Sequence, residues 1–271
     1  MKIKFTIAIL LICTFLSAQA KFEKGYYIDL NGTKNEGYIK NSDWKSSPKE
    51  IIFKANLEDN DQVILSEKIS EFEIQDKLKF KRFNIDIERS TTKTSLLYTN
   101  KKTPIFNNEN LLLKVLVEGK ASLYYYYDTG IEKFFYATNS KPIEQLIYIP
   151  YLADKEDYDS YKKQGIDNVV INSTILYNNT FKKQLNENVN CNSSRKQLSN
   201  MKFNSSSLKK YFISYNECEN AAYNKFIYGN KSTLKLKASL INNLHSINIV
   251  NSGEAAYSKK FSNSHSFGFG F

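Results

Sequence analysis

Residues 111–138, LLLKVLVEGKASLYYYYDTGIEKFFYAT, read as strands joined by tight turns. Leu111–Val117 reads as one strand, Gly119-Lys120 as a turn and Ala121–Tyr127 as the returning strand. Asp128-Thr129-Gly130 turns the chain again into Glu132–Ala137. Apolar runs joined by turns this short form an antiparallel meander. The tyrosine run Tyr124, Tyr125, Tyr126 and Tyr127 lies inside it. In a strand two of the four face one side and two the other, so half belong to the core and half are candidate binding aromatics for a sugar or a protein partner.

The same grammar extends upstream. Tyr26, Ile28 and Leu30 alternate, Asn31-Gly32 marks a turn with Gly37 close by, and Tyr38 opens the next strand. Further strands are expected at Ile51–Phe53, Gln62–Leu65, Glu71–Ile74, Phe80–Ile87 and Ser95–Tyr98. Trp44, in a polar loop before Pro48, is the chain's one tryptophan. A lone Trp in a β-domain covers the core or serves as a ligand platform.

Residues 141–163 read as a hinge, with Pro142, Pro150 and the charged run ADKEDYDSYKK. Asp154, Glu156, Asp157 and Asp159 lack the spacing and glycine of a calcium loop and fit a solvated face. The period then changes. Asn179 or Thr180 can cap a helix carrying Phe181, Leu185 and Val189. Ser205 or Ser206 can cap a second, carrying Leu208, Tyr211, Phe212, Tyr215 and Cys218. Ser193 or Ser194 can start a short third helix with Leu198. Each stripe needs a partner, so a helical hairpin is expected.

Residues 1–20, MKIKFTIAILLICTFLSAQA, have a basic start, an apolar run and small residues at Ala18 and Ala20. This is the pattern of a secretory signal peptide. Cys13 leaves with it, and Ile12 before Cys13 does not fit a lipoprotein site. The mature chain would begin at Lys21. Cys191 and Cys218 are then its two cysteines, and the oxidising compartment favours a disulfide between them over two buried thiols. With only His245 and His265 beside them and no CxxC, no metal or other cofactor is expected. The chain carries 38 basic and 28 acidic residues. The lysines are dispersed and the chain is exported, so a solvated surface is expected and nucleic acid is not.

In the tail, Leu234, Leu236, Ala238 and Leu240 alternate with polar residues, and Phe267, Phe269 and Phe271 share a face opposite Gly268 and Gly270. That pattern suits strands of an outer-membrane barrel. A single-chain barrel needs at least about eight strands, and residues 230–271 supply two or three. The tail is therefore expected to belong to a longer barrel, to pack on the soluble region, or to oligomerise.

The layout resembles a group of uncharacterised exported proteins of Bacteroidetes, flavobacteria especially. The matching elements are Gly25–Ile39, Trp44, Pro48, Phe53, Gln184-Leu185, Cys191 and Tyr215-Asn216-Glu217-Cys218. The resemblance implies a β-rich N-terminal region, a two-cysteine helical segment and a C-terminal PorT-like outer-membrane barrel, with no catalytic residues to carry over.

The expected fold is mainly antiparallel β with a small disulfide-linked helical segment and barrel-like C-terminal strands. Its parts are a signal at 1–20, a β-rich domain at 21–152, a helical segment at 153–229 and partial barrel strands at 230–271. The expected function is a non-enzymatic envelope protein of structural or binding type, located at the outer membrane, in the periplasm or on the cell surface. Its partners would be envelope components, protein or glycan. Two alternatives stand beside it. One is a barrel-type transporter or receptor component. The other is a secreted carbohydrate-active enzyme with a carboxylate pair drawn from Glu71, Glu73, Asp86, Glu88, Asp128 and Glu132.

Overall fold

The computed structural model describes residues 21–226, apart from Asp43, Tyr98, Asn100 and 192–197, and the backbone of four strands within 239–270. The segment expected to be a signal peptide lies outside the described residues, as do Ser193 and Ser194; of the short helix expected there, Leu198 and Ser199 are helical and Leu198 is buried. The chain divides after Tyr228 into two compact units.

The first unit is built on one antiparallel sheet. Its strands are β1 (Phe22–Asp29), β2 (Lys34–Lys40), β3 (Glu50–Lys54), β4 (Gln62–Leu65), β5 (Ile69–Ile74), β6 (Leu78–Glu88), β7 (Phe106–Glu118), β8 (Ala121–Asp128), β9 (Ile131–Thr138) and β10 (Lys141–Gln145). They lie in the order β10-β9-β8-β7-β6-β5-β1-β2-β3-β4. The first four run out to one edge. β5 then returns to the other side of β1, and the rest meander to the opposite edge. The Arg82 guanidinium holds the return in place, donating to the carbonyls of Ser66 and Ile69.

Local chemistry sets the first hairpin. The Asp29 carboxylate accepts from the amides of Asn31 and Thr33, and Gly32 takes φ +85°. That is the left-handed conformation glycine adopts without penalty. Gly37 has a different role. It sits mid-strand, directly opposite Gly25. A Cβ at Gly37 would stand 2.2 Å from the Lys54 carbonyl, and one at Gly25 2.2 Å from that of Glu73. The backbones approach too closely there for any side chain.

Both faces of the sheet are covered. Residues paired across a ladder share a face, which assigns the cores. On one face Ile39, Ile51, Phe53, Ile69, Phe72, Ile74, Leu78, Phe80 and Leu112 form a core, with Trp44 packed against it. On the other face Ile85, Ile87, Leu111, Leu113, Val115, Tyr124, Tyr126, Phe135 and Phe226 form a second core. Strand β7 contributes to both, which is why Leu111, Leu112 and Leu113 are all buried.

Two further strands, β11 (Ile149–Leu152) and β12 (Ile175–Asn178), pair with each other around α1 (Lys155–Lys163). Then come α2 (Thr180–Asn188), α3 (Ser205–Cys218) and β13 (Asn224–Lys225), which pairs with the end of β7. Helices α2 and α3 cover Leu123, Phe134 and Tyr136 on β8 and β9 with Phe181, Leu185, Leu208, Tyr211, Phe212 and Tyr215. Each such side chain contributes about 1.5–3 kcal/mol on full burial. Cys191 and Cys218 are joined by a disulfide that ties the chain just after α2 to the end of α3.

Several sequence expectations change. Thr94–Leu96 is a 3-10 turn where a strand was expected at Ser95–Tyr98, because β6 already has β7 as its partner on that side. Part of the hinge is strand β10, and its acidic run is the start of α1, with Asp154 and Asp157 forming a capping box. The N-cap of α3 is Asn204, accepting from the Ser207 amide at 2.9 Å, rather than Ser205 or Ser206. Asn179 precedes α2, but the side chain that accepts from the Thr180 amide is that of Asn178.

In the second unit β14 (Ser239–His245) pairs with β17 (Ser264–Gly270), and β15 (Asn248–Asn251) with β16 (Tyr257–Lys260). Both pairings are antiparallel. No sheet is closed among the described residues.

Asn216 fixes α3 on the sheet. Fully buried, its Oδ1 accepts from the Ala121 amide at 3.0 Å, and its Nδ2 donates to the Ala121 carbonyl at 2.8 Å and to that of Phe212 at 2.9 Å. Asn216→Ala would strand both polar groups of Ala121. It should cost about 2–5 kcal/mol in urea unfolding, whereas Glu217→Ala next door should stay within about 0.5 kcal/mol.

Candidate functional site

Three groups of chemically active side chains stand out. The first is an ionic cluster on the face shared with the second core, where β1, β5, β6 and the end of β7 meet. Tyr26 donates its hydroxyl to Glu71 at 2.5 Å and Glu73 at 3.1 Å. Lys79 Nζ lies 2.9 Å from Glu118, 3.3 Å from Glu71 and 3.7 Å from Glu73. Lys81 Nζ lies 2.5 Å from Glu118 and 3.4 Å from Glu71. Burial pushes the Glu118 carboxyl up, but the hydrogen bonds from Lys81 and Lys79 outweigh it and hold it below the usual carboxylate range. Burial likewise pushes Lys81 down, and Glu118 and Glu71 reverse the effect. Burial and the two carboxylates push the Tyr26 phenol well up, so it stays a donor.

The second is a buried ion pair. Lys133 Nζ on β9 is 2.6 Å from Glu88 Oε2 at the end of β6, with side-chain exposures of 1% and 6%. The Gln145 amide on β10 brackets it, accepting from the Glu88 amide at 2.8 Å and donating to the Glu88 carbonyl at 3.4 Å. Burial pulls Lys133 below its ordinary range, against the opposing pull of Glu88.

The third is a groove of about 460 Å³ lined by Trp44, Ser46, Ser47, Pro48, Lys49, Glu50, Tyr126, Tyr127 and Asp128. The β2–β3 loop reaches over the sheet to form one wall. Ser47 Oγ donates to the Leu112 carbonyl at 2.5 Å, and Lys114 Nζ donates to the Trp44 carbonyl at 2.9 Å. Trp44 meets Phe72 edge-on at 5.5 Å between ring centroids. The other wall is the end of β8. There Arg89 makes two 2.6 Å bonds to Glu109 and one of 3.1 Å to the Tyr126 hydroxyl. That hydroxyl in turn donates to Asp128 at 3.3 Å.

The structure separates the tyrosine run as strand geometry requires. Tyr124 and Tyr126 are buried in the second core. Tyr125 and Tyr127 point to the opposite face and are half-buried, with Tyr125 packed against Phe134 under the helical layer. Tyr127 shares the groove with Trp44. Sequence position alone could not join these two, because it carries no trace of where the β2–β3 loop crosses. The charged ladder was legible only in part. Glu71 and Glu73 alternate on β5, but their partners Lys79, Lys81 and Glu118 required the register.

Of the other carboxylates considered, Asp86 accepts from Asn108 at the strand surface. Burial pushes Glu132 upward, partly countered by the Tyr125 hydroxyl, and its partner across the ladder is Tyr127. Among the described residues no group of three or more His, Cys, Asp and Glu is arranged to hold a metal ion. Compared with protein-family models, curated proteins and solved structures, the chain matches none.

Two outcomes follow from the charge pattern. Because folding depresses the Glu118 pKa, its contribution is present above the unfolded value of 4.5 and is lost as pH falls through the lower folded value. Stability measured by urea titration should therefore fall below about pH 4.5, and less steeply in Glu118→Gln. Lys133→Ala leaves Glu88 buried and unpaired and should cost about 3–5 kcal/mol. A Lys133→Met, Glu88→Gln double variant should recover most of that loss in a double-mutant cycle.

Proposed function

We propose that the chain is an exported, non-enzymatic protein of the bacterial cell envelope, a rigid β-scaffold of structural or binding type. The observation that carries this reading is the Cys191–Cys218 disulfide, which staples the helical layer. Such bonds persist in oxidising compartments, and the leader-like residues 1–20 fit the same destination. A signal peptide and a structural disulfide are independent features, and both ask for export.

The tail supports an attachment to the outer membrane. Its described strands, β14 to β17, are four to seven residues long and pair antiparallel, β14 with β17 and β15 with β16. The alternation of Leu234, Leu236, Ala238 and Leu240 with polar residues in the sequence is the pattern of a strand with one face toward lipid. Two-stranded pairings leave open edges, so strands from elsewhere would complete the sheet. The ionic cluster lends less support to a glycosidase. Of the carboxylates weighed for one, Glu71 and Glu73 are tied up by Tyr26 and Lys79, and Glu88 by Lys133.

The test is the state of the protein in its native cells. We expect it in the envelope fraction, with Lys21 as its first residue by mass spectrometry. Cys191 and Cys218 should resist alkylation until reduced. Reduction should lower stability by about 3–4 kcal/mol, the chain-entropy value for a loop of this length. An unprocessed chain in the cytosol with freely alkylated cysteines would overturn the reading.

A further inference from the structure

The groove beside Trp44 has a composition that the envelope reading leaves unused. Two aromatic side chains, Trp44 and Tyr127, come to it from separate elements. Between and around them stand Ser46, Lys49, Glu50 and Asp128, which offer a hydroxyl, an ammonium and two carboxylates. At about 460 Å³ it falls within the ~300–1,000 Å³ span of small-ligand sites.

Both walls are braced. Pro48 is buried, and the loop is tied to β7 through Ser47 and Lys114. Asp128 receives the hydroxyls of Tyr126 and Thr129, and Arg89 lies 3.8 Å from it. Its side chain is still 51% exposed, so part of its accepting capacity faces the groove and solvent. A site whose walls are held before binding loses little freedom when it is filled.

The chemistry selects the occupant. A pyranose ring has an apolar C–H face and an edge of hydroxyls. Aromatic rings accept the face, and carboxylates with neighbouring donors accept the edge. Two carboxylates against one lysine among the lining residues oppose a polyanion such as a nucleic acid. We propose that this groove binds an uncharged hexopyranose chain, stacked on Trp44 and Tyr127 and hydrogen-bonded through Asp128 and Glu50. The assignment rests on the envelope-binding reading, since the sugar would be met outside the cytoplasm.

Trp44 is the chain's only tryptophan, so its emission reports on this groove without any label. The disulfide-intact mature chain would be titrated with soluble β-glucan oligosaccharides, mannan and chito-oligosaccharides. Polygalacturonate and a proline-rich peptide would serve as comparison probes. We expect a saturable change in Trp44 emission with at least one neutral saccharide, matched by calorimetry. Tyr127→Ala and Asp128→Asn should each weaken binding by about tenfold with unchanged circular dichroism. A silent titration with every neutral saccharide would overturn the assignment. An equal or stronger response to polygalacturonate or the peptide would also do so, as would full affinity in Tyr127→Ala. Envelope location with a silent titration rejects the groove alone. Saturable binding by a cytosolic, unprocessed chain rejects the export reading alone.

Discussion

Asn216 sits where an antiparallel partner for Ala121 would otherwise have to be. Its carboxamide carries one donor group and one acceptor in the arrangement of a peptide unit, and it satisfies both backbone groups of a residue at the start of β8. The same device recurs where other ladders end. Gln145 presents its amide to both backbone groups of Glu88. Gln184 on α2 accepts from the Ile147 amide and donates to the Gln145 carbonyl. Buried peptide groups must be paired, and at the ends of the ladders no strand is there to pair them. Side-chain amides finish what the ladders leave open, and they also dictate where the helical layer sits.

The charged groups follow a related logic. Lys133 and Glu88 are buried beside the aliphatic and aromatic side chains of the second core. Replacing such pairs with apolar groups is often neutral, so their value lies in rejecting alternatives as much as in stability. A strand slipped by one residue would place each charge on the wrong face and leave it alone. The ladder of Glu71, Glu73, Lys79, Lys81 and Glu118 imposes the same condition on β5, β6 and β7. This matters in a sheet whose strands share so much Ile, Leu and Phe, since apolar content alone tolerates several registers.

Much of the fold could be read from the chain because period and turn chemistry agreed. The hairpins around Asn31-Gly32, Gly119-Lys120 and Thr129-Gly130 fall where those residues mark them. The two helical stripes bury the side chains their spacing selects. What escaped has physical causes. β10 carries Pro142 and charges, and it is a strand because β9 and Gln184 hold it, which is tertiary information. β11 and β12 are four residues each and lie on either side of a helix, so neither shows a usable period. Gly25 and Gly37 look like turn residues but mark a close approach of strands. The groove combined a loop with a strand end more than seventy residues away, a juxtaposition created where the β2–β3 loop is tied to β7.

Strand β7 is the wall common to both cores, with Leu112 on one side and Leu111 and Leu113 on the other. Loss of either core would uncover half of it. The two cores therefore have no plane along which they could separate, because β6 and β7 supply residues to both of them on opposite faces. A cut between β6 and β7 would open both cores at once.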